Sequence, residues 1–77
     1  MSAEVVNQVI GILGSQVALA KAVGVQRQAV FGWASGRYLV PVKHCPKIEK
    51  AVNRQVTCEQ LRPDFDWSVI RAGGDSN

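Results

Sequence analysis

The sequence predicts a small all-α domain of five short helices. Apolar residues recur at helical spacing along the first half of the chain, and small polar residues and glycines fall where helices would begin or end. The length of 77 residues and the apolar fraction of 47% are ordinary for one folded domain. We therefore expect a single domain over residues 1–72 and a disordered tail at 73–77.

The first two predicted helices follow each other closely. The first is predicted over residues 3–13 and ends at Gly14, and Ser15 is a good N-cap for the second, at about 16–23. The apolar stripe of the first helix consists of Val5, Val6, Val9, Ile10 and Leu13. Its β-branched residues have low helix propensity, so tertiary packing must stabilise it.

A glycine turn joins the second helix to the third. Gly24 lies where the chain must reverse, often with a positive φ. The third helix opens at Gln26 or the next residue and runs to about Ala34, and Gly36 resembles a C-cap glycine. The expected shared core consists of Leu19, Ala20, Val23, Val25, Val30 and Trp33. This pattern is typical of a DNA-binding helix-turn-helix, whose second helix enters the major groove.

The second half of the chain predicts two further helices. Pro41 suits the first turn of a helix at about 42–53, although Pro46 should kink that helix or delay its start. A short β-like piece is expected around Val56. The sequence TCEQ at 57–60 has the spacing of a capping box and should open a single helical turn that ends before the next proline.

Positive charge is concentrated on the helix-turn-helix and the residues that follow it. Residues 16–54 contain seven Lys or Arg and one Glu, a net charge of +6, whereas residues 55–77 sum to −2 and residues 1–15 to −1. Charge alone would indicate only a solvated basic face. Because the charge coincides with the motif, it favours binding to a phosphate backbone.

Other classes of protein find little support in the sequence. The longest apolar runs are far short of a membrane span, and no signal peptide is recognisable, so we expect a cytoplasmic protein with reduced thiols. His44, Cys45 and Cys58 lack the spacing of a zinc site and a fourth ligand. No nucleophile elbow, phosphate-binding glycine loop or paired carboxylates indicate an enzyme, and we expect no cofactor.

Two stretches of the sequence carry a resemblance to a known family: GSQVALAKAVGVQRQAVFGWASG and VPVKHCPKIEKAVNRQVTCEQLRPDFDW. They resemble the Cro-like repressors of the YdaS type, which are small helix-turn-helix regulators of bacterial prophages and phages. Many helix-turn-helix families share the first stretch, whereas the LRPD-x-x-W ending of the second is more specific. The resemblance implies a five-helix Cro/lambda-repressor-like domain that regulates transcription by binding an operator as a dimer. Some members are regarded as antitoxins.

Five residues at the third helix are predicted to contact DNA bases: Gln26, Arg27, Gln28, Phe31 and Gly32. Arginine can pair with guanine O6 and N7, and glutamine with adenine N6 and N7. Gln26 has the alternatives of a phosphate contact or of capping its own helix. Phe31 either packs on a thymine methyl or folds back over the core beside Tyr38. Gly32 is expected on the exposed face, where the backbone and DNA come close.

Four residues are predicted to contact phosphates: Gln16, Arg37, Tyr38 and Lys43. Gln16 begins the second helix, where backbone N–H groups and the helix dipole favour negative charge; a solvated glutamine is the alternative. The other three follow the recognition helix, along a connection that runs beside the sugar-phosphate backbone in this architecture, with solvation as the alternative for Lys43. The cationic residues of the fourth helix are expected to be solvated.

Phe65 and Trp67 are candidates for a dimer contact, because buried aromatic residues dominate such interfaces. Packing of Trp67 into the core is the slightly favoured alternative. The expected partners are a double-stranded DNA operator and a second copy of the chain, with no membrane. A different function, an antitoxin-like interaction module, would bind a protein partner through this C-terminal segment. RNA binding has less support, since no stacking platform of exposed aromatics is evident.

Overall fold

The computed structural model describes residues 2–69, and within that range the chain is helical without a β-strand. The helices are α1 Ser2–Leu13, α2 Gln16–Val23, α3 Arg27–Ala34, α4 Cys45–Ala51 and α5 Cys58–Leu61, with a 3₁₀ turn at Val42–His44 directly before α4. The predicted all-α fold is therefore confirmed. The backbone is helical again at 67–69, and the predicted tail at 73–77 lies outside the described residues.

Local capping interactions set the ends of α2 and α3 where the sequence predicts them. The Ser15 hydroxyl accepts a hydrogen bond from the Ala18 N–H at 3.0 Å, which satisfies one of the free N–H groups of α2. Gly24 ends α2 with a φ of 84°, and its N–H donates to the Ala20 carbonyl at 2.8 Å. Gly36 has a φ of 80° just after α3. A side chain at either glycine would be strained.

The fourth helix is shorter than predicted at both ends. The 3₁₀ turn precedes it, so that Pro46 lies in the first turn of α4, where its missing N–H removes no helical hydrogen bond. The expectation that Pro46 delays the helix is confirmed. At the other end α4 stops at Ala51, not at 53, because Asn53 and Arg54 have left-handed backbone angles, with φ of 53° and 63°.

The segment between α4 and α5 is a compact turn, and the β-like piece predicted there is wrong. Residues 52–56 form successive turns and bends around the fully buried Val56. Glu49 is only 7% exposed. Its carboxylate accepts a hydrogen bond from the Cys58 N–H at 2.8 Å and pairs with the Arg54 Nε at 3.2 Å. One carboxylate thus links the turn to the first residue of α5.

We expect Glu49→Ala to lower the free energy of unfolding by about 1–3 kcal/mol, because a buried hydrogen bond to a charged acceptor would be lost. Chemical denaturation would measure the change. Glu49→Gln is the matched control: it keeps an oxygen acceptor for the Cys58 N–H and should lose less. A Glu49→Ala protein within 0.5 kcal/mol or so of the wild type would contradict this role for the carboxylate.

All five α-helices contribute residues to the hydrophobic core. The predicted core residues of α2 and α3 are buried or, for Val25, packed against the core. Helix α1 packs against both, and the Asn7 amide donates to the Ala34 carbonyl at 3.0 Å, at the end of α3. Helix α3 is thus supported from the side of α1 and α2. Within residues 2–69 no single helix is long and apolar enough to span a membrane; α1 and α2 reach that length and apolarity only together, across a 94° bend.

The LRPD-x-x-W ending forms a hydrogen-bonded cluster around Arg62. The Arg62 Nε and Nη2 donate to the Asp64 carboxylate at 2.8 and 2.7 Å, and its Nη1 donates to the Val40 carbonyl at 2.9 Å. The Arg62 carbonyl accepts a hydrogen bond from the Trp67 indole at 2.8 Å. Phe65 meets Trp67 edge-on, with ring centroids 4.7 Å apart. The cluster therefore ties the C-terminal segment to the connection between α3 and α4.

Acid should weaken the Arg62 cluster. The hydrogen bonds from Arg62 lower the pKa of Asp64 from 3.8 to about 2. Because the folded-state pKa is the lower one, the stabilisation by Asp64 is complete above about pH 4 and is lost as the pH falls through about 2. We expect the Tm to fall between pH 4 and pH 2 and Asp64→Asn to flatten that fall. Parallel profiles for the two proteins would argue against the linkage.

Candidate nucleic-acid interface

Helix α3 has one buried face and one exposed face. Val30 and Trp33 are 0% and 4% exposed, whereas Arg27 and Gln28 are exposed and Phe31 is 53% exposed. Eight residues at the helical rise give α3 a length of about 12 Å, and the diameter of an α-helix with its side chains fits the width of the DNA major groove. The helix therefore presents two long polar side chains and one aromatic ring from a well-supported backbone.

Gln26 is the N-cap residue of α3, but its side chain makes no capping hydrogen bond. The alternative that Gln26 caps its own helix is therefore not supported. Its side chain is exposed beside Arg27, where it can contact a ligand.

The structure brings Gln16 and Arg27 together although they lie on different helices. The Arg27 Nη1 is 3.5 Å from the Gln16 Oε1, a long contact at the limit of a hydrogen bond. The residue predicted to contact a phosphate and a residue predicted to contact a base thus share one surface.

Gly32 is not on the exposed face of α3, which corrects the placement expected from the sequence. Gly32 is buried, and a Cβ built on it would lie 2.6 Å from the Tyr38 Cδ2. The Tyr38 ring, 62% exposed, forms the outer surface at this point. The sequence did not reveal this contact because the connection after α3 folds back onto the helix, which no local pattern indicates.

The two alternatives for Phe31 are separated by its exposure. More than half of its surface is open to solvent, so the ring does not fold back over the core. The Tyr38 ring, in contrast, lies against α3 at Gly32. Phe31 therefore remains available on the same face as Arg27, four residues earlier in the helix.

The charged residues of α3 and of the segment that follows it, up to Lys43, are all positive. Arg37 and Lys43 are exposed on the connection and the 3₁₀ turn that follow α3. The sequence contains no acidic residue between Glu4 and Glu49, and Glu49 is buried and paired with Arg54. An anionic ligand that approaches α3 and residues 35–43 therefore meets no acidic side chain from these segments themselves.

The surroundings of His44 and of the two cysteines are those of residues with a structural role. The His44 ring lies 5.9 Å from the Trp33 ring, and burial together with Lys43 and Lys47 lowers its pKa. Cys45 and Cys58 are buried, and no disulfide bond joins them. Burial raises the pKa of the Cys45 thiol to about 11. Among residues 2–69 no group of three or more His, Cys, Asp or Glu side chains is placed to hold a metal ion.

Trp67 is a core residue, which corrects the candidate dimer contact at this position. It is 3% exposed and its indole N–H is bonded to the Arg62 carbonyl. Phe65 is partly buried against the same core. The protein-interaction alternative therefore loses its largest anchor, and Val69, 66% exposed, is the large apolar side chain that this segment presents to solvent within the described range.

Two helices joined at a left-handed glycine, with the second exposed along one face, define a helix-turn-helix protein. Residues 6–70 match the family described as bacterial toxin YdaS, and the chain belongs to this family. The predicted resemblance to YdaS-type proteins is thereby confirmed.

Two known proteins are similar to this chain. The Escherichia coli (strain K12) protein called "Putative transcriptional regulator YdaS" is 42% identical over 65 residues, which cover 84% of this chain. The chain spans 66% of the length of that curated relative. A solved structure of the Cro protein from "putative prophage element Xfaso 1" in Xylella fastidiosa strain Ann-1 has a TM-score of 0.74 and 39% identity, and the match covers 86% of this chain and 97% of that one. The Cro-like fold predicted from the sequence is therefore confirmed.

Proposed function

We propose that this protein is a transcriptional regulator that binds an operator sequence in double-stranded DNA as a homodimer, with α3 in the major groove. The observation that carries the proposal is the exposed face of α3, where Arg27 and Gln28 project from a helix whose other face is in the core. The names of the two similar proteins, a transcriptional regulator and a Cro protein, support the same function.

Base recognition is assigned to the N-terminal part of α3. Arg27 is suited to donate two hydrogen bonds to guanine O6 and N7, and Gln28 or Gln26 to pair with adenine N6 and N7. Phe31 lies one turn further along the same face and would pack against a thymine methyl.

Phosphate contacts are assigned to residues on both sides of this face. Gln16 begins α2, where free N–H groups and the helix dipole favour an anion. Arg37, Tyr38 and Lys43 are exposed along the chain that leaves α3. Such contacts carry little sequence information, but they set the register of the recognition helix in the groove.

A dimer is part of the proposal because one eight-residue helix contacts too few bases to find one site in a genome. Two subunits would place their α3 helices in successive major grooves, about 10 base pairs apart. Specificity then comes from two half-sites, and the operator acquires approximate two-fold symmetry.

Selection of bound sequences from a random DNA pool tests the proposal. We expect a pair of inverted half-sites separated by about one helical turn, and sedimentation of the selected duplex should show two chains per duplex. Binding that shows no preference among sequences would overturn the proposed function. A single unpaired half-site with one chain bound would overturn the dimer.

Lys43→Ala should weaken binding to all DNA sequences by a similar factor. Because Lys43 is assigned to a phosphate, the slope of log K against log salt should fall by about 1 for each subunit. Titrations of the operator and of an unrelated duplex at several salt concentrations would measure it. Lys50→Ala, which removes the same charge from an exposed position of α4, is the matched control. An unchanged slope in Lys43→Ala would remove Lys43 from the interface.

A further inference from the structure

We propose that Gly32 is a positioning residue whose missing side chain seats the Tyr38 ring against α3 and so fixes the connection that carries the phosphate contacts. The expected effect on DNA binding rests on the proposed function, whereas the contact between Gly32 and the Tyr38 ring does not depend on DNA. It gives Gly32 a role that differs from the base contact expected from the sequence.

The connection after α3 is anchored at the Gly32 carbonyl. That oxygen accepts hydrogen bonds from the Arg37 N–H at 3.0 Å and the Tyr38 N–H at 3.2 Å. It also accepts one from the Ser35 hydroxyl at 3.2 Å. Two of the proposed phosphate-contacting residues are therefore held, through their backbones, to a single residue of the recognition helix.

The Tyr38 ring provides a second contact between the connection and Gly32. A Cβ built on Gly32 would lie 2.6 Å from the Tyr38 Cδ2, 3.2 Å from Cε2 and 3.7 Å from Cγ, and these are its three nearest atoms. The shortest of these distances is too short for a real contact, so a methyl group would push the ring aside. Because Tyr38 is 62% exposed, the ring can move into solvent without unfolding the protein.

The backbone conformation at Gly32 does not require a glycine. Gly32 lies within α3 and is not among the glycines with positive φ, so residues other than proline can adopt its backbone angles. A glycine inside a helix is less favourable than alanine. The three atoms nearest to an added Cβ all belong to Tyr38. The glycine is therefore explained by the ring, and the ring keeps the phosphate-contacting connection in register with the base-contacting face.

A double-mutant cycle tests this proposal with DNA binding as the first measurement. We expect Gly32→Ala to weaken binding to the selected operator by about five- to thirtyfold when Tyr38 is present, and by less than about twofold in a Tyr38→Ala background. A direct approach of the Gly32 backbone to DNA would instead weaken binding equally in both backgrounds, which would overturn the proposal. Tyr38→Phe keeps the ring and should preserve the coupling.

Thermal unfolding of the wild type, Gly32→Ala, Tyr38→Ala and the double variant tests the contact between Gly32 and Tyr38 without DNA. Gly32→Ala should raise the Tm by about 2–6 °C in the Tyr38→Ala background, where only helix propensity changes. With Tyr38 present the gain should be smaller or absent. Equal shifts in both backgrounds would overturn the contact. If the wild type shows no sequence preference for DNA, the proposed function fails, and the unfolding cycle still decides whether Gly32 seats Tyr38.

Discussion

Replacing Arg27 by alanine is expected to remove most of the preference for the operator over unrelated DNA. A bidentate arginine–guanine pair contributes about 1–3 kcal/mol of discrimination, and a dimer loses two of them, or roughly 30-fold to 20,000-fold in relative affinity. Non-specific binding should change far less, because it depends on the summed positive charge. Fluorescence anisotropy with the operator and a scrambled duplex, at one fixed salt concentration, would measure both.

The control for Arg27→Ala is Lys50→Ala, which removes one positive charge at an exposed position of α4. It should lower both affinities slightly and leave their ratio unchanged. Because Arg27 is exposed, the unfolding midpoint of Arg27→Ala should stay close to that of the wild type. If the operator and the scrambled duplex lose affinity by the same factor, Arg27 contacts phosphates and not bases.

Trp67→Ala is expected to lower the free energy of unfolding by about 3–5 kcal/mol, as is usual for a buried tryptophan. The indole is 3% exposed, meets Phe65 edge-on and donates to the Arg62 carbonyl. A small domain has a total stability near the lower end of about 5–15 kcal/mol, so much of the protein would unfold at moderate temperature. Circular dichroism during urea denaturation would measure the loss.

Two control variants test whether the loss in Trp67→Ala comes from the buried indole. Trp67→Phe keeps an aromatic ring and loses the hydrogen bond to Arg62, so its loss should be smaller. Val69→Ala changes a side chain that is 66% exposed in the same segment and should have little effect. A Trp67→Ala protein with wild-type stability and altered self-association would instead support the dimer contact considered from the sequence.

The parts of the fold that depend on near neighbours could be predicted from the sequence. The cap at Ser15, the left-handed Gly24 and the capping box of Thr57 with Gln60 each involve residues within one or two turns. The helical period also placed Arg27 and Gln28 on the exposed side of α3. These features determine where the recognition helix starts and which face it presents.

The features that sequence analysis missed depend on contacts between separate segments. Tyr38 covers Gly32 because the chain turns back after α3, and a helical pattern alone left Gly32 on the outside. Val56 has strand propensity, but Glu49 and the left-handed residues before it hold it within a turn. The sequence left Trp67 between the core and a dimer contact, because its burial depends on a segment that the Arg62 side chain ties to Val40, 22 residues away.

The bond from Arg62 to Val40 has a consequence for how this protein can diverge. The cluster around Arg62 closes the fold without using a side chain from the exposed face of α3. Changes at positions 26, 27, 28 and 31 can therefore alter what the surface binds while the closure of the domain stays intact. The C-terminal segment that closes the domain and the segment proposed to contact DNA are thus free to evolve separately.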